Sequence, residues 1–161
     1  MAKMVKVGMA DLNICHSPDA ITTLGLGSCV GVALYDKNTK TAGLVHVMLP
    51  DSTKVRQNQN RAKFADTGID YLIELLEKEG AKKSSLTAKI AGGAQMFAFS
   101  SSNDMLRVGE RNVEAVKDKL KKLGIRILAE DTGLNYGRTV EFYPETGDFI
   151  IKSVGKLVKT I

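Results

Sequence analysis

The chain has 161 residues, 43% of them hydrophobic, and a formal net charge of +5. This length suits one domain with a substantial core, and no apolar stretch is long enough to span a bilayer. We therefore predict a single domain over residues 1–161 that does not insert into a membrane. Residues 1–8 alternate like a strand and contain no signal-peptide core, which favours a cytoplasmic location.

The positive charge does not by itself indicate nucleic acid. Lysines 117, 119, 121 and 122 fall on an amphipathic helix, where a solvated face is the usual explanation. No basic groove with interspersed aromatic residues accompanies them. Acidic protein surfaces remain possible partners, and we predict that the chain binds no nucleic acid.

Alternating and apolar segments predict strands through most of the chain. The candidate strands are 4–9, 12–16, 21–25, 29–35, 42–49, 86–91, 125–130, 139–143 and 148–152. A polar segment, 51–60, is predicted to be a loop, and so is the segment 100–104. The turn formers Pro144 to Gly147 predict a hairpin between the last two strands.

Two segments have helical periodicity. Apolar residues recur on one face from Arg61 to Glu79, and Gly80 supplies a stop signal. A second helix is predicted from about Glu110 to Leu123, with Gly124 after it. Many strands and two helices predict an α/β layered sandwich, in which the two main helices pack outside a mixed, largely antiparallel β-sheet system.

A glycine-flanked cysteine and a histidine are the clearest chemical signal. Cys29 follows Gly25-Leu26-Gly27-Ser28, and His46 comes seventeen positions later in an apolar run. A thiol is nucleophilic as the thiolate, and an imidazole nearby can take its proton. If the chain reverses at Lys37-Asn38, Cys29 lies directly opposite His46 on two antiparallel strands. A longer or bulged loop would make the relation diagonal.

The glycines around Cys29 allow unusual backbone dihedrals or a close approach. Such a turn can direct amide groups at one point, and the amides of Gly27, Ser28 and Cys29 are candidates for an oxyanion hole. The alternative is that these glycines only permit a tight bend or a bulge.

Other combinations are weaker. Cys15 and His16 could join Cys29 and His46 in a zinc site, but adjacent strand residues point to opposite faces and no Cys-x-x-Cys spacing is present. Cys15 is better interpreted as a small buried apolar residue. We predict neither a metal nor a cofactor.

Five separated segments carry a further signal, and they are Gly25–Val30, His46 before Leu49-Pro50, Ala88–Phe97, Gly109–Val113, and Asp131–Gly133 with Gly137-Arg138. Together these segments resemble the CheD family of chemoreceptor glutamine deamidases. Their order and spacing match over nearly the whole chain. One departure is Leu134, at a position where the family often has a glycine.

The resemblance implies an enzyme, a cysteine-dependent protein-glutamine glutaminase that converts glutamine side chains of methyl-accepting chemotaxis receptors to glutamate. It places the nucleophile on Cys29, the base on His46 and an orienting third member on Thr23, with Thr22 as the neighbouring alternative. Receptor methylesterase activity is also implied.

The same resemblance implies a second partner, the CheC phosphatase, so the chain could instead be mainly a regulatory binding module for CheC and chemoreceptors. A general cysteine peptidase shares the chemistry but needs a groove for an extended peptide. An intact Cys29–His46 pair favours a working enzyme, because pure binding does not require it.

Overall fold

A computed structural model of the chain describes residues 2–96 and 107–161. Two helices and ten strands form its regular structure. The helices are α1 (Ala65–Lys78) and α2 (Val108–Leu123). The strands are β1 (Met4–Val7), β2 (Leu12–His16), β3 (Ala20–Leu26), β4 (Val30–Asp36), β5 (Thr41–Val47), β6 (Thr87–Gly92), β7 (Arg126–Thr132), β8 (Arg138–Tyr143), β9 (Asp148–Lys152) and β10 (Lys159–Thr160).

The strands form two sheets of five. The first has the order β1-β3-β8-β9-β10, and the second, the central sheet of the sandwich, has the order β2-β5-β4-β6-β7. Each sheet contains one parallel pair, β1 with β3 and β6 with β7, and its other pairs are antiparallel. The sheets are therefore mixed and largely antiparallel, as the sequence predicts.

Two apolar layers hold the three parts of the sandwich together. One lies between the central sheet and the helices and includes Val32, Val45, Leu72 and Val116. The other lies between the two sheets and includes Ile21, Leu44, Val140 and Phe142. Burial of these side chains is the main favourable contribution to folding, at roughly 25 cal/mol per Å² of apolar surface. The predicted sandwich with both helices outside is confirmed.

The predicted element boundaries hold with small changes. The segment 61–79 is not one helix, because Phe64 is extended (φ −114°, ψ 144°) and separates a short 3₁₀ turn, Arg61–Lys63, from α1. Gly124 takes the left-handed conformation (φ 73°) and ends α2. The two-residue strand β10 has no signal in the sequence. The predicted loop 100–104 lies outside the described residues. No described helix is long and apolar enough to span a membrane.

The register of β4 and β5 differs from the predicted one. Asp36 pairs with Thr41, so the connection has four residues, and Lys40 adopts a positive φ of 50° within it. The chain thus reverses one residue later than Lys37-Asn38. Gly31, not Cys29, lies opposite His46. The predicted direct pairing is wrong, and the relation of Cys29 to His46 is the diagonal one, because the longer loop shifts the register by two residues.

Candidate functional site

Strand alternation decides where the histidine side chain lies. Along β5, Val45 and Val47 belong to the helix-facing layer, whereas Ala42 and Leu44 belong to the layer between the sheets. The side chain of His46 points to the same face of the sheet as those of Ala42 and Leu44, and it is fully buried. The imidazole therefore lies between the two sheets, on the side that faces β3.

Thr23 on β3 meets this imidazole. Its Oγ1 is 2.8 Å from His46 Nδ1 and also donates to the carbonyl of Val7 at 2.8 Å. A hydroxyl has one hydrogen to donate, so the bond to Val7 leaves Oγ1 as the acceptor toward the ring. Nδ1 must then carry the imidazole hydrogen, and Nε2 holds a free lone pair.

Nε2 of His46 is buried and has no hydrogen-bond partner among the described residues. A buried polar atom without a partner costs about 1–3 kcal/mol. Such an atom needs a functional or structural explanation. An unprotonated Nε2 between the sheets is what a base for a nearby thiol requires.

Cys29 shares this layer. It precedes β4 by one residue, is 7% exposed, and packs in the cluster between the sheets with Leu26 and Leu44. It is on the same side of the strand as Gly31, the residue opposite His46. Gly31 has no side chain, and Leu26 packs over it, with its Cδ1 3.1 Å from the Cβ position of Gly31. Diagonal neighbours of this kind have Cα atoms roughly 7–8 Å apart.

The electrostatics indicate a neutral pair at rest. Burial raises the pKa of the Cys29 thiol, and a hydrogen bond from its own backbone amide acts in the opposite direction. Burial lowers the pKa of His46 from its ordinary 6.5. Both shifts disfavour the charged forms, so a resting thiolate–imidazolium pair is not supported.

The residues at and just after the end of β6 hold the cysteine loop. Gly93 N donates to Cys29 O at 2.8 Å, and Ala94 N donates to Gly27 O at 2.8 Å. A Cβ on Gly92, whose φ is 111°, would lie 2.2 Å from Cys29 O. Only glycine permits this approach, which explains the Gly92-Gly93 pair found in the sequence. Phe97, at the end of the same segment, lies outside the described residues.

Arg138 supports these glycines from the other sheet. Its guanidinium is fully buried, pairs with Asp131 at 2.9 Å, and donates to Gly92 O at 3.4 Å and to Gly133 O at 3.0 Å. Burial alone would raise the pKa of Asp131, but hydrogen bonds from Lys159 and Arg138 lower it below its usual range. Arg138 is thus internal rather than part of a surface that recognises acidic partners. Leu134, where the family often has glycine, has a φ of 61°, which a glycine adopts without strain.

Asn112 on α2 is a residue near the cysteine loop that has no assigned role in the sequence interpretation. It is fully buried, and its Nδ2 donates to Ser28 O at 3.0 Å and to Met48 O at 2.9 Å. A signal was present, because Asn112 stands in line with Val116 and Leu120 at intervals of four along the buried face of α2. A polar residue in such a row requires partners.

The candidate oxyanion donors differ in their bonding. Gly27 N donates to Gly25 O at 3.1 Å and is therefore engaged in the turn. The amides of Ser28 and Cys29 have no backbone acceptor among the described residues outside the strand ladders. These two amides fit a donor role better than Gly27 does.

Thr22, Cys15 and His16, the alternative candidates in the sequence, have surroundings of their own. Thr22 Oγ1 donates to Val140 O at 2.7 Å. Cys15 pairs with Ala42, four residues from His46 along β5 and thus roughly 13 Å away. His16 contacts Thr41 and Glu79 instead. Within residues 2–96 and 107–161, no three His, Cys, Asp or Glu side chains are grouped to hold a metal ion.

The fold is a layered α/β domain in which a hydroxyl contacts an imidazole between two sheets and a cysteine thiol lies in the same layer. Residues 48–153 match the family model described as CheD chemotactic sensory transduction. The chain is 70% identical over 161 residues, all of both chains, to the probable chemoreceptor glutamine deamidase CheD of Lachnoclostridium phytofermentans. It is 51% identical to the chemoreceptor glutamine deamidase CheD of Bacillus subtilis, over 99% of this chain and 97% of the relative.

A third relative, the chemoreceptor glutamine deamidase CheD of Halalkalibacterium halodurans, is 58% identical over the full length of both chains. The family model begins after Cys29 and His46, whereas these relatives cover both positions. The chain belongs to the CheD family, as its sequence motifs indicate.

Proposed function

We propose that the chain deamidates glutamine side chains of methyl-accepting chemotaxis receptors, with Cys29 as nucleophile, His46 as base and Thr23 as the residue that orients His46. The observation that carries the proposal is the bond between Thr23 Oγ1 and His46 Nδ1, combined with the unpartnered Nε2. The names of the relatives supply the substrate class.

The reaction follows from these positions. His46 Nε2 takes the proton of the Cys29 thiol, and the sulfur forms a bond to the carboxamide carbon. Backbone amides stabilise the oxyanion. The carbon–nitrogen bond then breaks, and the imidazolium gives its proton to the departing ammonia. A thioester remains, and a water activated by His46 hydrolyses it to the glutamate carboxylate and the free thiol.

Thr23 acts on His46 without adding a charge. The hydroxyl fixes the tautomer and the ring orientation, as an aspartate does in a Ser-His-Asp triad, but it gives the imidazolium only a neutral acceptor. Because Thr23 is itself bonded to Val7 O, its oxygen is held in place on both sides. The site is thus organised before any substrate binds.

Exposed apolar side chains on segments around the site support a protein substrate rather than free glutamine. Leu24 is 65% exposed one residue after Thr23, and Met96 is 45% exposed, with its Cγ 3.2 Å from the Cβ position of Gly27. Apolar residues at a surface of this kind are typical of protein recognition. A receptor segment that presents its glutamine here would cover them.

One further activity belongs to the same proposal. The same attack on a methyl-esterified receptor glutamate would expel methanol and hydrolyse the ester. A regulatory complex with the CheC phosphatase is the alternative role. The buried Thr23–His46 arrangement is not needed for binding alone, which supports the enzymatic role.

Incubation with purified receptor cytoplasmic fragments, followed by peptide mass mapping, tests the proposal. We expect release of ammonia and conversion of specific glutamines to glutamate. Cys29→Ala is the control for a bound contaminant. Binding of fragments without any conversion by the unsubstituted protein would contradict the proposal and favour the binding module.

A further inference from the structure

Asn112 contacts two backbone carbonyls that flank the proposed catalytic pair. Ser28 O belongs to the residue before Cys29, and Met48 O belongs to the second residue after His46. Both acceptors are carbonyl oxygens, so the amide must present its NH₂ group to them, and both of its hydrogens are used. A single buried side chain on α2 therefore joins the cysteine loop to the end of β5.

The bond to Ser28 O has a consequence for the neighbouring amide. Ser28 C=O and Cys29 N–H belong to one planar peptide unit, and in a trans peptide the two groups point in opposite directions. With the carbonyl held toward α2, the amide of Cys29 points away from α2. A hydrogen bond from that amide influences the Cys29 thiol, which places the N–H on the side of the nucleophile.

We infer that Asn112 is a positioning residue, which orients the Ser28–Cys29 peptide so that the Cys29 amide can stabilise the oxyanion. The inference rests on the proposed function, because an oxyanion forms only if Cys29 attacks a carbonyl carbon. Asn112 touches no reacting atom. It fixes the peptide that carries the donor and holds it against β5.

The test separates oxyanion stabilisation from the reactivity of the thiol. Alkylation of Cys29 by iodoacetamide requires the thiol but forms no oxyanion, whereas deamidation requires both. We expect Asn112→Ala to lower kcat on the order of 10- to 100-fold, below the 10²–10³ typical of removing a donor outright, because the amide stays but is no longer fixed. KM and the alkylation rate should change little.

Val116→Ala is the matched control, since Val116 is fully buried one turn further along the same face of α2 and has no polar group that could donate to Ser28 O. It weakens the packing of α2, and we expect it to leave kcat close to that of the unsubstituted protein. Equal losses of kcat in the two variants at similar stability would overturn the inference. So would unchanged kcat in Asn112→Ala, or an alkylation rate that falls in parallel with kcat.

Asn112→Asp keeps the shape and provides the test should the alanine variant not fold. Its carboxylate cannot donate, so kcat should fall at neutral pH and recover in part, relative to the unsubstituted protein, as the carboxyl is protonated at lower pH. The absence of any loss at neutral pH would overturn the inference. Cys29→Ala is measured alongside, because activity in that variant would contradict the proposed function itself rather than the role of Asn112.

Discussion

The two cysteines of the chain are both buried, yet their surroundings give them different chemistry. Cys15 is 4% exposed inside β2, where burial and the nearby charge of Asp19 raise its pKa to about 12. Cys29 is 7% exposed in a loop before β4. Both lie in the layer between the sheets, but Cys29 is diagonal to His46 across β4 and β5, whereas Cys15 pairs with Ala42, four residues from His46 along β5. Burial by itself therefore says little about a thiol, and the neighbouring groups decide what it can do.

The largest expected effect is loss of the proposed nucleophile. Cys29→Ala should lower ammonia release from receptor fragments on the order of 10³-fold or more, because in the proposed mechanism no other group forms the thioester. Cys15→Ala is the matched control, and we expect it to retain activity. If Cys15→Ala abolished turnover and Cys29→Ala did not, the contrast between the two cysteines would be reversed.

The next effect concerns the orientation of His46. Thr23→Val keeps the shape but removes the acceptor for Nδ1, so deamidation should slow on the order of 10- to 100-fold, as expected for loss of a hydrogen bond worth about 1.5–3 kcal/mol to a group that becomes charged. Thr23→Ser should retain most activity. Ammonia release is the measurement for each variant.

Thr22→Val is the control for this substitution, since Thr22 bonds Val140 O and not the imidazole. It should act on stability and leave turnover unchanged. Full activity in Thr23→Val would mean that His46 works without an orienting partner, as a Cys29–His46 dyad.

The sequence predicts that Cys29 and His46 lie near each other, but it does not predict the register of the strands that carry them. Glycines and apolar alternation place Cys29 directly before β4 and His46 on the adjacent strand β5, but the register depends on the loop, where the left-handed Lys40 adds length that composition does not reveal. The contact of Thr23 with His46 joins two different sheets. No local pattern encodes such a contact, and the family resemblance alone suggested it.

Asn112 shows a similar limit. Its place on the buried face of α2 follows from helical periodicity, but its acceptors come from loops 64 and 84 residues away in the sequence. The fold class, in contrast, follows from local signals, because alternation and helix caps determine each element separately. Polar contacts between residues far apart in the sequence are not predicted by such local signals.

The rates at which the two thiols are alkylated allow a direct comparison of the two cysteines. Neither thiol should react as fast as an exposed one, because burial raises the pKa of both. Iodoacetamide at neutral pH should nevertheless modify Cys29 before Cys15, since His46 can accept the proton as the bond forms. His46→Ala should reduce this advantage. Equal rates at the two cysteines in the folded protein would count against the pairing.

The smallest expected effect is on stability in mild acid. Burial lowers the pKa of His46 below its ordinary 6.5, so below pH 6.5 the unfolded chain binds a proton that the folded chain does not. The free energy of unfolding should therefore fall as the pH drops from 6.5 toward the folded pKa. Urea denaturation at a series of pH values should show a weaker decrease in His46→Gln. An identical decrease in both proteins would assign the effect to other groups.

The state of His46 is the most direct test of how the site is arranged. The chain has two histidines, so ¹⁵N NMR of labelled protein can resolve the ring nitrogens of His46 once His16→Gln identifies the other set. We predict a neutral ring at pH 7, with hydrogen on Nδ1 and none on Nε2, and loss of this fixed tautomer in Thr23→Val. A ring with hydrogen on Nε2, or an imidazolium at pH 7, would contradict the account.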